Sequence, residues 1–255
     1  MGKLIIKSKI TVGILTKNAE TTLRDTLESV KWAKEIIIVD DHSTDKTLDI
    51  ALHYTDRILS SSDPSFAQKR NLILKESQTN WLLYIDSDEV VTEELRDEIE
   101  KVTQQYQEGA FALTRENYFL GTKMYRDAVT RLFHLDSLEG WSGDVHESPI
   151  VLSEVYTLKN VLIHHTHRDI TSMLHKTNAW SEIEAQLRYQ AGHPPIAWWR
   201  LVRMMVSEGW YQFGQLKVGR FGRSGLFEGW FQMIDILIVY TKLWEKQRTE
   251  KPVTG

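Results

Sequence analysis

Short apolar runs separated by polar stretches of helical period organise the first third of the chain. Ile10–Leu15, Glu35–Val39, Asp56–Leu59 and Trp81–Ile85 have the length of strands. Three of them are apolar almost throughout rather than alternating, as strands covered on both faces need to be. Between them, Thr22–Val30, Asp45 to about His53 and Phe66–Glu76 read as helices. Strand and helix in alternation make an α/β fold, a mainly parallel sheet flanked by helices, the economical solution. Thr22–Asp25 approximates a capping box for the first helix, and Ser43 or Thr44 is expected to cap the second, with Asp45 at its positive end.

The pattern then changes twice. A helix from Thr92 to about Gln107 and a strand Ala110–Thr114 are followed by 115–127, a loop or hairpin rich in Arg, Tyr and Phe. Val129–His134 reads as a short strand, Gly140–Gly143 as a turn, and Leu158–Thr166 as a last strand. From Ile170 the strands stop. Helices are expected at about Ile170–Tyr189, Ile196–Phe213 and Leu226–Trp244, broken at 192–195 and by a basic, glycine-containing loop. The chain therefore divides into 1–168, an α/β catalytic region, and 169–255, a helical appendage for acceptor or membrane association.

Composition narrows this picture. With 255 residues and 42% hydrophobic content the chain can bury a sizeable core. The net charge of -4 hides an asymmetry, because acidic residues are frequent up to about Glu108 whereas basic residues cluster among aromatics after Arg188. A nucleic-acid enzyme is not suggested. The absence of cysteine excludes disulfides and cysteine metal sites and is compatible with a reducing cytosol. The amino-terminal apolar segment is too short for a secretory signal, and no apolar run approaches the roughly 20 residues of a spanning helix.

Candidate chemistry sits where apolar runs end in acid. Trp81–Ile85 stops abruptly at Asp86, Ser87, Asp88 and Glu89. Ligands of open α/β sheets collect outside the carboxyl ends of strands, so Asp86 and Asp88 are placed to hold Mn²⁺ or Mg²⁺ carrying a phosphorylated ligand. Asp40 ends the second strand in the same way and can accept a hydrogen bond from the imide of a uracil-like base. The helix bearing Gln68, Lys69, Arg70 and Asn71 leads into the acidic strand and offers positive charge to a diphosphate. Neither a dinucleotide fingerprint nor a P-loop is present, which leaves phosphate binding to a metal. After Gly143 come Asp144, His146 and Glu147. A polar turn between strands accounts for 144–147, while a carboxylate or imidazole there, Glu147 before the others, can also take a proton from a hydroxyl. Arg131 either stabilises a diphosphate or pairs with a structural carboxylate.

Strand alternation puts His165 and His167 on one face and His164 on the other, too few ligands on one side for zinc; surface or internally satisfied histidines are the first expectation, and a single imidazole given to a metal or diphosphate is the better functional one. In the appendage, tryptophans mixed with Lys217, Arg220 and Arg223 suit contact with anionic headgroups, although packing within the protein explains aromatic content too.

Together these motifs resemble the family 2 glycosyltransferases. The matching segments are Ile-Leu-Thr-Lys-Asn at 14–18, Val-Asp-Asp-His-Ser-Thr-Asp-Lys-Thr at 39–47, Phe-Ala-Gln-Lys-Arg-Asn at 66–71 and Leu-Leu-Tyr-Ile-Asp-Ser-Asp-Glu at 82–89. Arg131-Leu-Phe and Gly143-Asp-Val-His-Glu147 look like the branch of lipopolysaccharide core β-1,4-glucosyltransferases; Asp41 and Lys46 depart from that branch's usual small polar residue and glycine. The resemblance implies a GT-A fold and an inverting, metal-dependent transfer of a hexose, glucose from UDP-glucose above all, onto a glycan or lipid-linked acceptor of the cell envelope. It implies donor-binding roles for Thr16, Asn18, Glu20, Asp40 and Asp41, for Gln68, Lys69 and Asn71, and for Asp86, Ser87 and Arg131. The metal falls to Asp88 and Asp86, and catalysis to Glu147, His146 and Asp144. The implied location is cytoplasmic, at the inner face of the membrane. A sugar-phosphate nucleotidyltransferase and an inactive membrane-associated scaffold of the same fold are the alternatives.

Overall fold

A computed structural model describes residues 9–143, 147–167 and 169–249. The first strands are β1 (Ile10–Thr16), β2 (Glu35–Asp40), β3 (Ile58–Ser60), β4 (Trp81–Asp86) and β5 (Glu89–Val91); then follow β6 (Ala110–Phe119), β7 (Thr122–His134), β8 (Leu138–Ser142), β9 (Ser148–Val151) and β10 (Val155–His167). The helices are α1 (Leu23–Val30), α2 (Thr47–Ala51), α3 (Phe66–Glu76), α4 (Glu93–Gln105), α5 (Ile170–Gln190), α6 (Trp198–Gly209) and α7 (Gly222–Thr249).

The expected α/β fold is the one the chain adopts. A central sheet runs in the order β3-β2-β1-β4-β7-β6-β10-β5, and β8 and β9 form a separate antiparallel ribbon. From β3 to β4 the strands are parallel, whereas β7 pairs antiparallel with β4 and β5 antiparallel with β10. Alternate residues of the near-continuous apolar strands feed two cores. Val12, Ile14, Leu83 and Ile85 meet Leu23 and Leu27 of α1 and Leu95 and Ile99 of α4. Ile37, Val39, Leu82 and Tyr84 meet Ala67 and Ile73 of α3 and Trp141 of β8. Each such aliphatic side chain, fully buried, contributes about 1.5–3 kcal/mol. Gly13 lets α3 lie close on β1, since a Cβ there would collide with the Ile73 side chain.

Register sets the future site. β1 lies between β2 and β4, with Thr16 beside Asp40 and Leu15 beside Asp86. The acidic ends of β2 and β4 therefore share one edge of the sheet.

Several local expectations are revised. Thr22 makes no side-chain cap on α1. Ser43 and Thr44 do not cap α2; Asp45 does so in part, accepting from the Thr47 backbone N–H at 3.0 Å. β5 has only three residues, too few for a periodic signal, and it carries the chain to the far edge of the sheet. Of the loop or hairpin expected over 115–127, the structure has the hairpin: the stretch continues β6 and β7, with Arg115 paired to Asp127 and Arg126 to Glu116. Gly140 lies inside β8 rather than in a turn. Its φ of +159° and the closeness of Asn71, 3.0 Å from where a Cβ would stand, call for glycine.

Two compact units are distinguished. Within the described residues the first takes 9–116 and 126–164, the second 117–125 and 165–249. The second unit thus holds the hairpin tip as well as the helices. Its cores gather Ala185, Ile196, Val239, Tyr240 and Leu243 in one cluster and Phe119, Met124, Met173 and Val218 in another. The helix expected over Ile196–Phe213 is α6 continued by a π-helical segment, Trp210–Gln215; the expected basic loop is largely a 3-10 turn, Val218–Phe221.

Candidate active site

The carboxyl ends of β1 and β2 open into two loops that are laced together. Asn18 donates its backbone N–H to Ser43 Oγ at 2.8 Å and accepts at Oδ1 from the Thr44 N–H at 2.8 Å. Glu20 donates its backbone N–H to Asp45 and accepts from the Lys46 N–H, both at 3.1 Å. Asn18 and His42 sit at positive φ, the cost of so tight a turn, and the lacing holds them there. Asp40 is buried beneath, accepting from Thr16 Oγ1 at 3.0 Å and from the backbone N–H and Oγ of Ser43 at 2.9 and 2.6 Å. Thr16, Asn18, Glu20 and Asp40 thus build a rigid platform at the sheet edge. Asp41 lies between Lys17 and Lys69, at 3.0 and 2.9 Å; burial pushes its carboxyl upward, but the two ammonium groups prevail and hold it below the usual range.

On α3, Gln68 is exposed, whereas Lys69 and Arg70 are buried rather than solvated. Asn71 clamps β8 to the helix, its Nδ2 donating to the Trp141 carbonyl at 3.0 Å and its Oδ1 accepting from the Trp141 N–H at 2.8 Å. Both ends of that amide are engaged with backbone, so Asn71 ties α3 to β8 beside the site. Arg70 lies against Trp141 and Tyr84, with Cζ 4.8 and 5.6 Å from the ring centroids. Its Nη2 reaches Asp86 Oδ1 at 2.9 Å and Glu147 Oε1 at 3.5 Å.

The other oxygen of Asp86 is 2.6 Å from Arg131 Nη2. Burial would raise the Asp86 pKa, yet Arg131 and Arg70 hold it well below the ordinary carboxylate range. Arg131 is therefore paired with the site's own aspartate. Ser87 accepts at its backbone carbonyl from Thr26 Oγ1 at 3.0 Å, tying the acidic turn to α1. Glu89 is wholly buried, accepting from the Asp86 N–H at 2.9 Å, with Arg115 Nη1 at 3.4 Å; burial, and then the charge on Asp86, push its carboxyl up to about 7.

Register decides the histidines. His164 pairs with Glu89 across β10 and β5, which brings its Nε2 to 3.6 Å from Asp88 Oδ1. His165 instead lies beside Tyr118, with ring centroids 5.7 Å apart. Among the described residues no group of three His, Cys, Asp or Glu side chains is arranged to hold a metal, so the structure offers one oxygen and one nitrogen donor at this turn. Such a pair suits Mn²⁺ or Mg²⁺ that takes its remaining ligands from a diphosphate and water, and the imidazole favours Mn²⁺ of the two. Asp144 and His146 lie outside the described residues. Arg115 was not singled out from the sequence, and Arg70 and Glu89 were named there only as a basic residue of the helix and a member of the acidic turn; a buried guanidinium shared between two carboxylates leaves no signal in spacing.

The family model for glycosyl transferase family 2 matches residues 11–152, more than half of the chain and nearly all the strands just described. The chain belongs to glycosyl transferase family 2. A Rickettsia bellii protein named as an uncharacterized glycosyltransferase is 26% identical over 247 residues, which span 90% of this chain and 82% of that protein. Among solved structures, S. aureus TarS 1–349 in complex with UDP-GlcNAc has a TM-score of 0.48 at 12% identity, covering 95% of this chain and 92% of that one. Glucosyl-3-phosphoglycerate synthase from Mycobacterium tuberculosis, in complex with Mn²⁺, UDP and phosphoglyceric acid, has a TM-score of 0.46 at 15% identity, covering 76% of this chain and 84% of that one. Membership makes the chain a glycosyltransferase, and the laced loops, the acidic turn and Arg131 all fall within the matched residues.

Proposed function

We propose that this family 2 enzyme is an inverting, divalent-metal-dependent hexosyltransferase that moves glucose from UDP-glucose onto a glycan or lipid-linked acceptor in cell-envelope polysaccharide synthesis, working at the cytoplasmic face of the membrane. The observation that carries this reading is the Asp86–Glu89 turn at the carboxyl end of β4, where His164 meets Asp88 and two guanidinium groups fix Asp86. In the proposed arrangement the loops built on Thr16, Asn18, Glu20 and Asp40 cradle the uridine, and Asp86 orients the ribose. Asp88 and His164 hold the metal, which when bound supplies Lewis-acid stabilisation of the leaving diphosphate.

Glu147 takes the proton of the acceptor hydroxyl as that oxygen attacks the anomeric carbon from the face opposite the diphosphate. With Oε1 held by Arg70, Oε2 is the oxygen that receives it. The anomeric carbon–oxygen bond breaks as the new one forms, so configuration inverts and the nucleoside diphosphate leaves.

A panel of nucleotide sugars, each with Mn²⁺, Mg²⁺ or chelator, followed by NMR of the product, tests the reading. UDP-glucose with Mn²⁺ should be turned over to a β-linked product with release of UDP. Release of pyrophosphate from a nucleoside triphosphate incubated with a sugar phosphate would instead identify a nucleotidyltransferase, and an α-linked product from the nucleotide-sugar panel would remove the inverting mechanism.

A further inference from the structure

The helical unit carries exposed rows of apolar residues and sorted charge. On α6 and its π-helical continuation, Trp198, Val202, Val206 and Trp210 repeat every four residues, which aligns them in one stripe. All four are exposed, Trp198 at 77% and Trp210 at 69%. On α7, Phe227, Trp230 and Ile234 form a second exposed row at helical spacing. The two helices meet along a seam where a Cβ at Gly229 would come within 2.6 Å of Phe213, and one at Gly209 within 3.2 Å of Met233. Trp230 lies against Phe213 at that seam, 6.0 Å between centroids.

Charge along the same stretch is divided by sign. From Trp198 to Ile234 the acidic residues are Glu208 and Glu228, and neither is exposed. Glu208 accepts from Gln212 at 2.8 Å, and Glu228 is buried, accepting from Gln232 at 2.9 Å. Burial pushes the Glu228 carboxyl upward from its ordinary range. Arg203, Lys217, Arg220 and Arg223 are all exposed, and Arg200 is half-buried. Two of the arginines lie over neighbouring aromatic rings, Arg200 on Trp199 at 5.0 Å and Arg220 on Phe221 at 4.7 Å. No helix among the described residues is long and apolar enough to cross a membrane.

We infer that this α6–α7 face docks on an anionic lipid surface, its tryptophans entering the headgroup boundary and its basic side chains facing the lipid charge. Charge complementarity selects this occupant. A second copy would set the same exposed basic groups against each other, with no exposed acid in the stretch to answer them. The inference deepens the proposed function by making the acceptor membrane-borne, and rests on it only for that consequence.

The full chain should co-sediment at low salt with vesicles of phosphatidylcholine and phosphatidylglycerol, and far less with pure phosphatidylcholine. Lys217→Gln, Arg220→Gln and Arg223→Gln together should lower the partition coefficient roughly 100-fold, as should raised salt in part. Trp198→Ser, Trp210→Ser and Trp230→Ser should lower it on both vesicle types. Donor hydrolysis in free solution should be unchanged in both sets of variants. No binding to anionic vesicles at low salt, equal binding by the triple Gln variant, or a dimer in sedimentation that buries the tryptophans would each overturn the docking surface. Vesicle binding by a protein that turns over no nucleotide sugar would leave docking standing and remove the enzymatic reading instead.

Discussion

At the scale of single residues the site is a set of charges that hold one another. Asp88 and His164 carry the expected metal dependence. Asp88→Ala and His164→Ala should each reduce Mn²⁺-dependent donor turnover at least about 100-fold, with circular dichroism unchanged; chelator-insensitive turnover in the parent enzyme would show that this pair does not hold a required metal. Glu147→Gln keeps shape and removes basicity, so transfer should fall by roughly 10²- to 10⁴-fold while donor affinity holds. Arg70→Lys cannot hold Asp86 and Glu147 with one planar group and should lower kcat more than it raises KM.

Glu89 gives a pH dependence of definite sign. Its folded pKa of about 7 lies above the ordinary glutamate value of 4.5, so the protonated form is favoured on folding. That contribution is full below about pH 4.5 and is lost as pH rises to 7. Asp86 works in the opposite sense and at lower pH, stabilising above the usual aspartate range and losing that effect as pH falls through its depressed folded value. Melting temperatures of the parent and Glu89→Gln, compared from pH 4.5 to 7.5, should therefore diverge, the parent losing on the order of 2–3 kcal/mol relative to the variant. A constant difference across that window would mean that Glu89 stays ionised.

At the scale of elements, α3 connects packing to chemistry. It lies close to β1 because Gly13 has no side chain, and from there it delivers Lys69 to Asp41 and Arg70 to Asp86. Gly13→Ala should cost about 1–3 kcal/mol in urea unfolding and weaken donor binding as well, because the added methyl group pushes the helix and its two cations away from the sheet edge. Unchanged donor affinity in a measurably destabilised Gly13→Ala protein would separate the two. The sequence left 115–127 open between a loop and a hairpin, since charged and aromatic residues in mixture suit both. The strands of the hairpin are joined by Arg115–Asp127 and Arg126–Glu116, pairs that exist only once the register is set.

For the whole molecule, the proposed donor site predicts ligand-linked stability. UDP-glucose with Mn²⁺, at about 100 times its dissociation constant, should stabilise the chain by about 2.7 kcal/mol, read as a rise in melting temperature that neither UDP-glucose with chelator nor Mn²⁺ alone reproduces. The sequence by itself determined the α/β character, the strand-end position of Asp40, Asp86 and Asp88, and the helical texture after Ile170, because apolar periodicity and strand length are local properties. It determined the family as well, since the motifs are contiguous stretches. Only the tertiary structure decided which histidine faces Asp88, that Asn71 clamps Trp141 while Arg70 joins Asp86 to Glu147, and that Glu208 and Glu228 are shielded while Arg203, Lys217, Arg220 and Arg223 are exposed. Those outcomes depend on the register of β5 against β10, on the close approach allowed at Gly13 and Gly140, and on the rotation of helices about their axes. Each is fixed by contacts between residues far apart in the chain, and burial reverses what composition suggests for a charged residue.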